Sequence, residues 1–129
     1  GGSAFTDSLS RGVVTEPMAD PAGVDPEEAL VASAASCHML WFLALAQQAG
    51  FDVESYDDSA EGETGRITPG RMATTRNALR PRTAFARREP TADELATLHR
   101  QAHERCFIAN SLTAEIVVEP AAASAEAAG

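Results

Sequence analysis

A run of 21 residues without a fixed charge, Ala29 to Ala49, constrains this 129-residue chain more than any other feature. Asp25-Pro26-Glu27-Glu28 precedes it and Gly50 follows it. Asp at the N-cap, Pro at N1 and Glu at N3 are three separate reasons for a helix to start there, and Gly at C′ is a reason for it to stop. A helix this long and this apolar is either a membrane span or the buried centre of a globular fold. Ser33, Ser36, His38, Gln47 and Gln48, the high Ala and Ser content, and the lack of a second such run favour the buried helix. Its small face, Ala29, Ala32, Ser33 and Ser36, would let another helix or backbone approach closely.

The remainder reads as strands around a second helix. A short strand is expected near Ala4–Leu9. Phe51-Asp52-Val53-Glu54-Ser55 alternates apolar and polar, as a half-buried strand does. Asp57–Gly65 reads as a polar loop or hairpin turn. Arg71–Arg76 and Ala78–Phe85 read as strands, with Pro81 marking an edge or a bulge. Thr91-Ala92-Asp93-Glu94 is a capping box that opens a helix running to about Arg105, with Leu95, Leu98 and Ala102 inward. Leu112 to Val118 reads as the last strand. The order is α+β, one domain over residues 1–120 with a frayed Ala/Ser/Glu tail over 121–129.

Nineteen acidic residues oppose ten basic ones, every one of them arginine, for a net charge of −9. That balance argues against nucleic acid and against an anionic membrane surface. Two cysteines are too few for a secreted disulfide scaffold, and no charged n-region followed by an apolar h-region opens the chain. A soluble, cytoplasmic protein is expected.

Those two cysteines carry the most chemistry. Cys37 falls mid-helix, and Cys106 falls where the second helix stops. Each can be a small buried hydrophobe, the common state of a free cysteine. Cys106 can also be reactive, since a thiol at a helix end can move toward a partner, and Cys37 lies among small residues with polar His38 next to it. A metal site is a rival: His99 and His103 are i, i+4 on one face, Cys106 follows three residues later, and Cys37 or His38 could complete four N/S ligands. No Gly-x-Ser-x-Gly, phosphate loop or dinucleotide fingerprint is present. Trp41 and Phe42 read as core, or as the walls of an apolar pocket beside a thiol.

The stretch Asp25-Pro26-Glu27-Glu28-Ala29-Leu30-Val31-Ala32-Ser33-Ala34-Ala35-Ser36-Cys37-His38-Met39 resembles the Pro-Glu-to-Cys helix of the OsmC/Ohr proteins. Ala102-His103-Glu104-Arg105-Cys106-Phe107-Ile108-Ala109-Asn110-Ser111-Leu112 resembles that family's second-cysteine motif, and Leu79-Arg80-Pro81 between them fits as well. The resemblance covers Asp25 to Pro120. It implies two helices packed with an antiparallel sheet, in an intertwined homodimer with its sites at the interface. It implies thiol-dependent reduction of organic hydroperoxides, with a dithiol or dihydrolipoyl electron donor and no cofactor. By that resemblance Cys37 is the peroxidatic cysteine, Cys106 the resolving one, and Glu27 the carboxylate that orients an arginine. His38 and the ending Phe107-Ile108-Ala109-Asn110-Ser111 are closer to the OsmC-like branch than to Ohr proper. The family carries its arginine in a Ser-Arg motif on a longer N-terminal hairpin. Here Leu9-Ser10-Arg11-Gly12 runs almost directly into Val13-Val14, so part of that hairpin is either absent or lies outside this chain, and the resemblance makes Arg11 the expected match to the arginine.

Helix geometry adds one constraint. Glu27 and Cys37 are ten residues apart on one helix, roughly 15 Å along its axis. They cannot serve one site within one straight helix: either the carboxylate comes from a partner subunit or an arginine reaches across the gap, and the intertwined dimer that the resemblance implies favours the first.

Overall fold

In a computed structural model, which describes residues 4–8 and 25–121, the uncharged run is a single helix, α1 (Pro26–Gln48). Its start is the expected capping box: the Asp25 carboxylate accepts from the Glu28 amide at 2.8 Å, and the Glu28 carboxylate accepts from the Asp25 amide at 3.2 Å. It ends at Ala49, after which Gly50 adopts φ +87°, a conformation glycine reaches without the clash a Cβ would bring. The helix is long and apolar enough to cross a membrane by length and composition, yet half of its most apolar stretch is buried inside the protein.

Five strands form one sheet: β1 (Ala4–Ser8), β2 (Asp52–Thr68), β3 (Arg71–Leu79), β4 (Pro81–Ala86) and β5 (Glu115–Val118). β2 is its spine. β1 pairs antiparallel with Asp57–Glu61 of β2, β3 pairs with its later half, and β4 pairs with Asp52–Asp58. β5 runs parallel to β3, from Arg76 opposite Glu115 to Leu79 opposite Val118, so the sheet is mixed rather than wholly antiparallel. Two more helices complete the fold, α2 (Ala92–Arg105) and α3 (Phe107–Ser111). The Thr91–Glu94 capping box is present at the start of α2, with bonds of 3.1 and 2.9 Å.

Asp57–Gly65 is strand, not the loop its polarity suggests. Tyr56, Asp58 and Ala60 are buried on the face toward α1, while Ser59 and Glu61 are exposed, which is the alternation of a half-buried strand. Acidic residues dominate the outward positions and hide the pattern. The buried Asp58 also explains the break between β3 and β4. Its carboxylate accepts the Arg80 amide at 2.8 Å, where Pro81 has no N–H to contribute. The last strand begins at Glu115, not Leu112, because residues 112–114 bend the chain from the end of α3 into the sheet.

The core has two parts. Met39, Phe42, Leu45, Ala46, Phe51, Tyr56, Leu98 and Ala102 pack where α1 lies between α2 and the sheet. Burying a side chain such as Phe42 or Met39 is worth about 1.5–3 kcal/mol. Nearer the start of α1, Val31, Ala32 and Ala35 pack on Ala60 and Leu79. There the helix comes close to the sheet: a Cβ on Gly62 would lie 2.6 Å from Val31 Cγ2. The close-approach face is therefore Ala32 and Ala35 with Gly62 opposite, while Ala29, Ser33 and Ser36 stay half-buried. Arg11 and residues 122–129 lie outside the described residues.

Candidate active site

Cys37 sits half-buried at the middle of α1, fixed by the turns on either side. Cys106 is buried at a junction: it ends α2 and is the N-cap of α3, with extended backbone (φ −69°, ψ 113°). Its sulfur accepts the Ala109 amide at 3.4 Å, in the role Ser or Asp usually takes at a helix start. The structure makes the two cysteines neighbours, close enough for Cys37 to act on the Cys106 thiol, and both are free thiols. Burial pushes the Cys106 thiol up to about 11, and the Cys37 sulfur beside it adds to the rise. The amides of Ala109 and Ile108 oppose this but do not reverse it. Cys106 therefore holds its proton through neutral pH and can donate it toward Cys37.

The mouth of this pair is apolar. Leu40 and Trp41 follow Cys37 by three and four residues, on its side of α1. Leu40 is 61% exposed and Phe107 70% exposed. The Trp41 ring meets the Phe107 ring edge-on at 6.1 Å, and the Arg105 guanidinium lies 5.8 Å from the Trp41 centroid. Trp41 is half-buried: it packs against the core and also meets Phe107, the residue that follows Cys106. Sequence reasoning missed Arg105 and Phe107; their positions flanking Cys106 were the available signal.

His38 does not assist the neighbouring thiol. One residue further round α1 it turns inward, where its Nε2 meets Nδ1 of His99 on α2 at 2.9 Å. The two rings are nearly parallel, and His99 in turn stacks on Phe42 with centroids 4.4 Å apart. Burial holds both imidazoles neutral, His38 down to about 3 and His99 down to about 4. The repulsion of His99 and His103 lowers His38 further. This pairing dismantles the four-ligand metal site that Cys37, His99, His103 and Cys106 suggest in sequence. His99 is committed to His38 and Cys106 to Cys37. Among the described residues no group of three or more His, Cys, Asp or Glu side chains could hold a metal ion.

Glu27 is not brought to the thiols within this chain. It stands exposed in the first turn of α1, lining a cavity of about 400 Å³ with Thr64, Met72, Ala73 and Thr74 of the β2–β3 hairpin.

The chain matches the family model for OsmC-like proteins over residues 19–121. Among curated proteins none matches its sequence. Among solved structures, an OsmC-like protein of unknown function from Vibrio cholerae is 43% identical, with a TM-score of 0.74 over 82% of this chain and 73% of that one. An organic hydroperoxide resistance protein OsmC from Legionella pneumophila superposes with a TM-score of 0.63 over 94% of this chain and 96% of its own, at 14% identity. An organic hydroperoxide resistance protein from Elizabethkingia anophelis gives 0.62 at 19% identity, over 77% of this chain and 67% of that one. These last two show a shared fold.

Proposed function

The chain belongs to the OsmC-like proteins, and from that premise we propose that it is a thiol peroxidase that reduces organic hydroperoxides to alcohols. The observation that carries this reading is the meeting of Cys37 and Cys106, 69 positions apart in sequence, as two free thiols under an apolar rim. The names of the structurally similar hydroperoxide resistance proteins support it.

Roles divide by environment. Cys106 keeps its proton, so Cys37 is the attacking sulfur. Its thiolate displaces alkoxide from the terminal peroxide oxygen, giving a Cys37 sulfenic acid, and the alkoxide leaves as alcohol on taking a proton. Cys106 then attacks the sulfenic sulfur and expels water, leaving a Cys37–Cys106 disulfide. An external dithiol, as a small molecule or a dihydrolipoyl group, reduces that bond and is itself oxidised. Leu40, Trp41 and Phe107 suit an organic substrate better than hydrogen peroxide, because they remove apolar surface from water when it binds.

A guanidinium near the thiolate would hold negative charge there and hydrogen-bond the peroxide oxygens. We assign that part to Arg11, positioned by Glu27. Since Glu27 stands about 15 Å from Cys37 along α1, the assignment requires a homodimer in which each subunit supplies Glu27 to its partner's thiols. Peroxide consumption with cumene hydroperoxide and a dithiol, on wild type and Cys37→Ser, tests the reading. Turnover surviving in Cys37→Ser overturns it.

A further inference from the structure

Two imidazoles are buried where α1 packs on α2, His38 at 1% and His99 at 3% exposure. A 2.9 Å hydrogen bond joins them, but their outer nitrogens, His38 Nδ1 and His99 Nε2, have no hydrogen-bond partner among the described residues. Unpaired buried polar atoms cost stability, and a pair of leucines would fill comparable space with nothing left to satisfy. Burial keeps both rings neutral, so the bond gains no strength from charge. As a source of stability the pair is a poor choice for a core. A buried hydrogen bond does supply what apolar contacts lack, which is one direction and one distance.

The neighbours of the two rings decide what that bond fixes. His38 directly follows Cys37 on α1. His99 precedes Cys106 by seven residues, two helical turns, and so lies on the same side of α2. The same two helices therefore meet at two points, ring to ring and thiol beside thiol. The ring planes lie within 4° of parallel, and Phe42 stacks on His99 with centroids 4.4 Å apart, so neither imidazole swings away without leaving a packed position. The surrounding contacts of Met39, Phe42, Leu98 and Ala102 are non-directional and tolerate a small slide or roll of α2. Any such motion displaces Cys106, at the end of α2, relative to Cys37.

We propose that the His38–His99 bond is a clasp that holds α1 and α2 in the register at which Cys106 faces Cys37, which makes both histidines positioning residues for closing the disulfide. The clasp rests on the peroxidase reading for the step it serves. In that step the Cys106 sulfur attacks the sulfur of the Cys37 sulfenic acid. The S–S bond forms as the S–O bond breaks, and the departing hydroxide takes the Cys106 proton and leaves as water. A buried thiol that keeps its proton up to about 11 reacts slowly unless it is held against its target. The earlier attack of Cys37 on peroxide uses only the thiol on α1 and is independent of the clasp.

The test compares wild type with His38→Leu/His99→Leu, which removes the bond and both unpaired nitrogens together. It should melt no lower than wild type, since both polar partners are replaced at once. Given one equivalent of cumene hydroperoxide, it should consume peroxide within about twofold of the wild-type rate but close its disulfide roughly tenfold more slowly or worse, with sulfenic acid on Cys37 trapped by dimedone. His99→Asn, whose amide falls near the place of Nδ1, should recover most of the rate that His99→Leu loses. Equilibration with reduced and oxidised dithiothreitol needs no peroxide. There the double variant's disulfide should be about tenfold less stable, a potential roughly 30 mV higher. Wild type that consumes no cumene hydroperoxide would sink the peroxidase reading alone and leave the clasp to the dithiothreitol equilibrium. Disulfide closure at the wild-type rate, or an unchanged equilibrium, in the double variant overturns the clasp. If the double variant does not fold, the same two measurements on His99→Asn and His99→Leu decide, and equal values in those two overturn it.

Discussion

The sulfur of Cys106 accepts the Ala109 amide at the start of α3 at 3.4 Å and has Cys37 of α1 as its neighbour. Its partner is held mid-helix and the residue itself stands between two helices, so Cys106 is the sulfur free to move. That asymmetry orders the chemistry and leads to separable outcomes for the two cysteines.

Cys37→Ser should abolish organic hydroperoxide consumption while leaving circular dichroism and the melting temperature nearly unchanged, since the residue is only half-buried. Cys106→Ser should still react once. Its product should be a sulfenic acid on Cys37, captured by dimedone and identified by mass spectrometry. A second rapid turnover in Cys106→Ser, with dithiol as sole reductant, would remove Cys106 from the cycle.

Wild-type protein given one equivalent of cumene hydroperoxide should lose both thiols and become lighter by two hydrogens. The bond requires the two Cα atoms within about 7 Å, which neighbouring residues on α1 and at the α2–α3 junction can meet. Intact protein mass and thiol titration measure it together.

Subunit mixing tests the shared site. Glu27→Gln keeps Cys37, and Cys37→Ser keeps Glu27, so a mixed dimer contains one complete site and one doubly defective one. After unfolding and refolding the two variants together, activity should rise toward about a quarter of wild type, the statistical share of complete sites. Activity no greater than the mean of the two separate variants would place Glu27 and Cys37 in one subunit's chemistry, or Glu27 outside it.

Acid should destabilise the fold through the buried imidazoles. Both are held well below their ordinary value of 6.5, His38 at about 3 and His99 at about 4. The unfolded chain therefore binds more protons than the folded one between those values and 6.5. Stability is complete above about pH 7 and falls as pH drops through that window. At about pH 5 each histidine should have cost about 2 kcal/mol. Urea unfolding at the two pH values should show the loss, and His99→Gln should shrink it.

Gly62→Ala should destabilise the protein by about 1–3 kcal/mol, because the added methyl group meets Val31 at 2.6 Å. Val31→Ala in the same chain should recover part of that loss. Thermal or urea melts of the two single variants and the double variant give the coupling directly.

Both long helices were legible in the sequence because each begins with side chains whose hydrogen bonds are local: Asp25 with Glu28, and Thr91 with Glu94. The cysteine pair was legible through the two motifs around it. The strand at Asp57–Gly65 was not, since its polar outward residues look like a loop until the partners on either edge are known. The parallel pairing of β5 depends on a connection through α2 and α3 that no local pattern encodes. The inward turn of His38 was equally hidden, because it depends on the placement of His99 across the core.

The junction at Cys106 also makes the protein's oxidation state visible from outside. Once its sulfur is bonded to Cys37, it is drawn away from the Ala109 amide, and α3, five residues long with none buried, loses its N-cap. Phe107 on that turn is the ring set against Trp41, the single tryptophan of the chain. In the proposed cycle the emission of that indole should change as the disulfide closes and return as a dithiol opens it, a built-in gauge with no label attached.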